Sequence, residues 1–326
     1  MAVTATDVKN LRERTGAGMM DCKKALAEAN GDIEAALDWL RKKGQKVAAK
    51  RADRDANEGV VVALTDDSGK TGIVLALSSE TDFVARNDGF IALANGLAQL
   101  ALEKLPENKE EFLALPYDGA PTVSEKLIEE TGRIGEKMEV SDYQKVSGDN
   151  IASYIHAGSK IGVVVSYKDG GSSEAPAFFR NVCMHIAAMS PQIMRPDEFD
   201  EAFVIKETEA LQGAIKVENE DRERLGKTLK TVPQYASKRQ LTPEVMTAAE
   251  EAIKAELKAE GKPEKIWDKI IPGKLDRFVA DNTLLDQERC LMSQFFALDD
   301  SITVENAIKD LNPEAELIEF KRVAVG

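Results

Sequence analysis

The stretch GVVVALTDDSGKTGIVLAL, residues 59–77, sets how the rest of the chain is read. Val60 to Leu64 and Gly72 to Leu77 are apolar, largely β-branched runs, and TDDSGKT between them (65–71) supplies turn residues, the pattern of an antiparallel hairpin. The GKT invites comparison with a phosphate-binding loop. That pattern, GxxxxGK[ST], needs glycine where Leu64 stands, so the segment reads as a turn. TDFV (81–84) follows, and then Phe90, Leu93, Ala94, Leu97, Ala98 and Ala101 at spacings of three and four, an apolar helical stripe expected to pack on the sheet.

The same order recurs further on. IASYIHAGSKIGVVVSY (151–167) is again strand, turn and strand, and FFRNVCMHIAAMS (178–190) puts Phe179, Val182, Cys183, Ile186 and Ala187 at helical spacing. Lys70 and Gly72 in SGKTGIVL lie 90 residues before Lys160 and Gly162 in GSKIGVVV, which reads as an internal duplication of a strand-strand-helix unit. Two unrelated hairpins are the alternative. Between the two units a helix capped near Thr122 or Ser124 carries Leu127, Ile128 and Ile134, and a short extended piece covers Met138 to Val140.

Towards the N-terminus, start and stop signals predict three helices in the first 44 residues. Thr6 caps one carrying Val8 and Leu11 and ending near Thr15-Gly16; a second runs from about Met19 to Ala29; Asp32 caps a third with Ile33, Ala36, Leu37 and Leu40 on one face. GQKVAAKRADRDANEG (44–59) is charged and alanine-rich, an exposed helical linker whose basic half offers either a solvated face or an RNA contact.

Towards the C-terminus, Pro196 to Gly261 reads as two antiparallel helices, the second started by Thr242-Pro243. Their thin apolar seams (Ala202, Ile205, Leu211, Ile215; Val245, Ala249, Ile253, Leu257) predict a helical hairpin projecting from the body. KPEKIWDKIIPGKLDRFVADNTLL gives two short helices broken at Pro272-Gly273, SITVENAIKDL gives one more, and ELIEFKRVAVG ends the chain as a strand joining the sheet. The fold class is α+β. The expected divisions are a helical domain at 1–45, a linker helix at 46–58, core subdomains at 59–142 and 143–195, the hairpin module at 196–261 and a return to the core at 262–326.

Composition narrows the chemistry. With 43 Lys and Arg against 57 Asp and Glu, a net charge of -14, direct nucleic-acid binding is disfavoured. The N-terminus lacks the apolar core of a signal peptide and no run is long enough to span a membrane, so a cytoplasmic protein is expected. Cys22, Cys183 and Cys290 are far apart and read as core residues, and two histidines, His156 and His185, leave little scope for acid-base or metal chemistry. His185, amid Cys183 and Ile186, reads as a packing residue.

Glu80 and Asp82 would share one face of a strand and so offer carboxylates to a divalent ion, with Asp88 as a third, but nothing nearby completes a metal or hydrolytic site. No metal and no cofactor is expected. TDFV itself is either a turn in which Thr81 or Asp82 caps the next helix and Phe83 enters the core, or a surface motif whose carboxylate and aromatic insert into a partner.

Several blocks together resemble the bacterial elongation factor Ts family, guanine nucleotide exchange factors for elongation factor Tu: LRERTGAGMMDCKKALAEANGDIEAALDWLRKKG (11–44), ETDFVARNDGF (80–90), IGEKMEV, YIHAGSKIGVVV, HIAAMSP and EGKPEKI, in the family's order. The resemblance implies an N-terminal three-helix domain of ubiquitin-associated type, a core of two related α+β subdomains and a helical-hairpin module that extends the interface or supports a homodimer or 2:2 complex. It implies that the chain binds GDP-bound elongation factor Tu and is not an enzyme in the covalent sense. Thr81, Asp82, Phe83 and Val84 match the segment that disturbs the partner's magnesium site. His156, Arg12, Met19 and Met20 match secondary partner contacts. Some members carry an extra C-terminal helix, whose contacts are not carried over because ELIEFKRVAVG closes this chain. A helical adaptor that binds translation components without promoting exchange is the alternative.

Overall fold

The computed structural model describes residues 3–326. In chain order the elements are α1 (Ala5–Thr15), α2 (Met19–Glu28), α3 (Ile33–Arg51), β1 (Glu58–Thr65), β2 (Thr71–Ser79), α4 (Asp82–Ala85), α5 (Asp88–Lys104), α6 (Lys109–Leu113) and α7 (Val123–Ile134). Then come β3 (Met138–Ser147), β4 (Asn150–His156), β5 (Ile161–Lys168), α8 (Ala175–Met189), α9 (Glu201–Arg224) and α10 (Pro243–Ala259). The last are α11 (Trp267–Asp281), α12 (Leu284–Arg289), β6 (Phe295–Phe296), β7 (Asp299–Thr303), α13 (Val304–Leu311) and β8 (Glu316–Ala324). The mixture of helices and antiparallel sheets is α+β. One compact unit runs to Ala187 and takes back Glu316–Gly326; the other is Ala188–Ala315.

In the first unit the sheets are β1-β2-β3 and β4-β5-β8, both antiparallel throughout. Side chains alternate between the two faces of β2 and both faces are covered, which explains its continuous apolar run from Ile73 to Leu77. Ile73, Leu75 and Leu77 meet Phe90, Leu97 and Phe112 of α5 and α6, whereas Val74 and Ala76 turn to the opposite face and meet Val164 and Val323 of the second sheet. Helix α8 covers that sheet's far side, with Phe179 stacked 4.0 Å from Tyr167. Each middle strand pairs on both edges, and each carries a register shift, at Ala76/Leu77 and Ser166/Tyr167, again 90 residues apart.

Gly72 and Gly162 let the sheets approach. A Cβ on Gly72 would stand 2.6 Å from Val164 Cγ1, and one on Gly162 would stand 2.6 Å from Val61 Cγ1. The two glycines of the sequence repeat are thus reciprocal contacts between the two sheets.

The helical N-terminus follows its local signals with two exceptions. The cap of α1 is Thr4, not Thr6: Asp7 N–H donates to Thr4 Oγ1 (3.2 Å) and Thr4 N–H to Asp7 Oδ2 (2.9 Å), a reciprocal box that Thr6 cannot form because Lys9 would occupy the returning position. The expected linker helix is not separate, since α3 continues unbroken to Arg51 and buries Gly44 against α7. Leu11, Cys22, Leu26 and Ala36 form the small core of this bundle.

Other expectations change where tertiary contacts outweigh local preference. The extended piece at Met138 to Val140 is the start of a ten-residue strand, its polar residues tolerated at a sheet edge. In the second unit α10 pairs with α11, not with α9 as the hairpin reading required. Ile253 and Leu257 of α10 meet Ile271, Ile270 and Leu275 of α11, and Lys274 Nζ lies 2.8 Å from Glu256. That packing also carries α11 through Pro272, where a break was expected, although the proline removes one helical N–H. Helix α9 buries Val204 and Ile215 and leaves Ile205, expected in its seam, 50% exposed; Val204, Phe203 and Leu211 pack with Phe199, Ala236, Leu285 and Cys290.

Candidate functional site

TDFV forms a single helical turn. Thr81 is its cap, with Oγ1 accepting from Val84 N–H at 3.4 Å. Ala85 is buried and Val84 packs on the core of the first sheet, so the inner side of the turn is anchored. Phe83 points the other way and is 84% exposed, which overturns the reading of it as a core anchor. Among the described residues Asp82 forms one ion pair, with Arg86, at 3.1 Å and in contact with solvent, an interaction worth at most about 1 kcal/mol. Its charge therefore remains available.

The backbone around this turn is held by Glu80, which the sequence offered as a metal ligand, and by Glu136, Lys137 and Arg51, which it did not single out. Glu136 accepts from Thr81 N–H (Oε2, 3.1 Å) and from Thr81 Oγ1 (Oε1, 2.8 Å). Glu80 accepts from Lys137 N–H at 2.6 Å and from Arg51 Nη1 at 2.7 and 2.8 Å. Burial acts to raise the Glu80 carboxyl, but the Lys137 N–H, the Arg51 guanidinium and the charge of Arg54 outweigh it and hold it below the usual glutamate range. Glu136 and Lys137 sit in IGEKMEV, and no periodicity marks them as partners of a turn more than fifty residues earlier.

This geometry also corrects the carboxylate pairing. Glu80 lies beyond the end of β2 and is turned into the Arg51 pair, Asp82 opens α4, and Asp88 is exposed in the first turn of α5, so the three do not converge. Among the described residues no group of three or more His, Cys, Asp and Glu is placed to hold a metal ion.

The remaining candidates are distributed. Arg12 is exposed on α1, and Met19 and Met20 open α2 at 60% and 75% exposure, an uncovered apolar pair at the start of that helix. His156 is exposed at the end of β4, its Nδ1 3.0 Å from Tyr154 Oη, just before a turn in which Ala157, Gly158 and Ser159 all have positive φ. His185 is buried in α8, and all three cysteines are buried and free.

The family model for elongation factor TS matches residues 80–231 and 228–326, a span that begins at Glu80 and includes TDFV. Elongation factor Ts of Rhodopirellula baltica is 62% identical over 325 residues, covering 99% of each chain. The chain belongs to the elongation factor Ts family. The elongation factor Ts of Flavobacterium johnsoniae is 48% identical over 324 residues with 99% of each chain covered. That of Streptococcus thermophilus is 46% identical over 327 residues, covering 99% of this chain and 92% of its own. As a member of this family, the protein is a translation elongation factor. Among the described residues no helix is long and apolar enough to cross a membrane.

Proposed function

We propose that this protein binds GDP-bound elongation factor Tu and accelerates GDP release, without covalent chemistry of its own. The observation that carries the reading is Phe83, a large aromatic held 84% exposed on a turn whose other side is anchored. Covering such a ring gains about 2 kcal/mol, which makes it an interface anchor that does not have to be ordered first.

In this reading Phe83 wedges between elements of the partner, and Asp82 brings a negative charge to the ligand shell of the partner's magnesium ion. Loss of the ion removes positive charge that held the nucleotide's diphosphate, and the nucleotide leaves. Thr81 and Val84 hold the turn. Arg12, Met19 and Met20 on the α1–α3 bundle, which we read as ubiquitin-associated-like, and His156 on the second sheet supply further contacts. Reciprocity requires that nucleotide and magnesium weaken the factor's binding as it weakens theirs, so that GTP rebinding ejects it. The protein acts in the cytoplasm, and the helical region after Pro196 extends the interface or joins two copies.

The test is dissociation of fluorescent GDP from elongation factor Tu with wild-type protein and with Phe83→Ala. Acceleration by wild type and its loss in the variant are expected; no acceleration by wild type overturns the proposal.

A further inference from the structure

The segments carrying Glu80-Thr81 and Glu136-Lys137 clasp each other. Glu80 takes the N–H of Lys137, and Glu136 takes the N–H of Thr81, so each carboxylate holds the backbone of the other segment. A third element enters this clasp through one side chain. Arg51, in the last turn of α3, places a single guanidinium nitrogen against both oxygens of Glu80, whose side chain is only 14% exposed. Lys137 Nζ adds a bond to Arg54 O, 3.1 Å away, just past the end of the same helix.

Helix α3 reaches in the other direction as well. Its 19 residues span about 28 Å. The first half packs with α1 and α2 through Ala36, Leu37 and Leu40, the middle crosses α7 at Gly44, and the end holds Glu80. One continuous helix thus joins the bundle that exposes Met19 and Met20 to the residue immediately before TDFV.

We propose that Arg51 is a positioning residue: by fixing Glu80 it sets the orientation of α4, so that the reach of Asp82 and Phe83 depends on where α3 lies. This rests on the reading that α4 acts on a partner. The geometry makes a specific demand on the side chain, which must place a cation within hydrogen-bond distance of a nearly buried carboxylate. Removing it leaves that carboxylate, among the described residues, with the Lys137 N–H as its hydrogen bond and the charge of Arg54 nearby, and loosens the segment on which Thr81 caps the turn.

The factor is titrated into elongation factor Tu loaded with fluorescent GDP, and the maximal release rate is separated from the half-saturating concentration. Arg51→Met is expected to lower the maximal rate about tenfold while changing half-saturation less than about threefold, and Arg51→Lys, which keeps a cation, to recover most of the loss. Glu80→Gln serves as a second variant that keeps shape and removes the charge. A nitroxide attached through Phe83→Cys, selective because the native cysteines are buried, reports on α4 without the partner. Its spectrum is expected to sharpen when Arg51→Met is added. An unchanged maximal rate in folded Arg51→Met overturns the proposal. If wild type itself fails to accelerate release, the exchange reading falls, and the spin-label comparison alone decides whether Arg51 positions α4: a sharper spectrum supports that role and an unchanged one overturns it.

Discussion

Gly132 of α7 lies directly against Gly44 of α3, so closely that a Cβ on Gly132 would stand 2.4 Å from the Gly44 Cα. The two helices cross backbone to backbone, and this crossing locks α3 to the remainder of the first unit. An alanine at an exposed helical glycine would add about 1 kcal/mol of helix propensity. Here the colliding atom is backbone and cannot rotate away, so the sign reverses. Gly132→Ala is expected to destabilise by about 2 kcal/mol, measured by urea denaturation.

The two sheets make an equivalent demand. Gly162→Ala would press its methyl against Val61 Cγ1 at 2.6 Å and Val74 Cγ2 at 2.9 Å, and Gly72→Ala would meet Val164 and Ile151 at 2.6 and 2.7 Å. Each is expected to cost about 1 to 3 kcal/mol. Pairing Gly162→Ala with Val61→Ala should recover part of the loss, because the smaller side chain vacates the contested space; a double-mutant cycle reads the coupling.

Phe83→Ala should separate function from fold. The ring is exposed, so the unfolding free energy should stay within about 0.5 kcal/mol of wild type. Loss of an interface anchor typically costs about 2 kcal/mol of binding or more. A large fall in thermal stability would instead return Phe83 to a structural role.

Acid should loosen the clasp around α4. The Glu80 carboxyl is depressed in the folded protein, so its stabilising contribution is fully present above the ordinary glutamate value of about 4.3 and is lost as pH falls through the lower folded value. Glu80→Gln should therefore flatten the acid limb of stability against pH relative to wild type while changing its slope little above pH ~6. Chemical denaturation at a series of pH values measures both limbs.

The thiols should be silent in the native state. Burial pushes Cys183 up to about 12 and Cys290 up to about 11, and Cys22 is also enclosed. A thiol reagent at neutral pH is expected to modify less than about a tenth of the thiols in minutes and all three after denaturation.

Local chemistry made much of this fold legible. Asp32 caps α3 through a bond of 2.9 Å to Ala35 N–H, Thr122 caps α7, and the TDDSGKT turn is closed by Asp66 Oδ1 accepting from Lys70 and Thr71 N–H. Each such signal involves residues a few positions apart, so the order of amino acids is enough to reveal it. The repeat of SGKTGIVL in GSKIGVVV spans 90 residues, yet it is a likeness between two short segments and shows without any contact between them.

Features built from distant residues were not. That α10 meets α11, that Pro272 lies inside a helix, and that the strand begun at Met138 runs to Ser147 depend on what each segment packs against. TDFV shows the division within one motif. The sequence by itself determined that a turn follows β2 and that Thr81 was a candidate to cap it, because a cap is a local hydrogen bond. Whether Phe83 enters the core or faces out was settled by Val84 and Ala85 filling the inner side, and how firmly the turn is held was settled by Glu136, Lys137 and Arg51 arriving from far along the chain. Those contacts exist only once the chain has closed loops of about thirty and more than fifty residues, and only the tertiary structure could decide them.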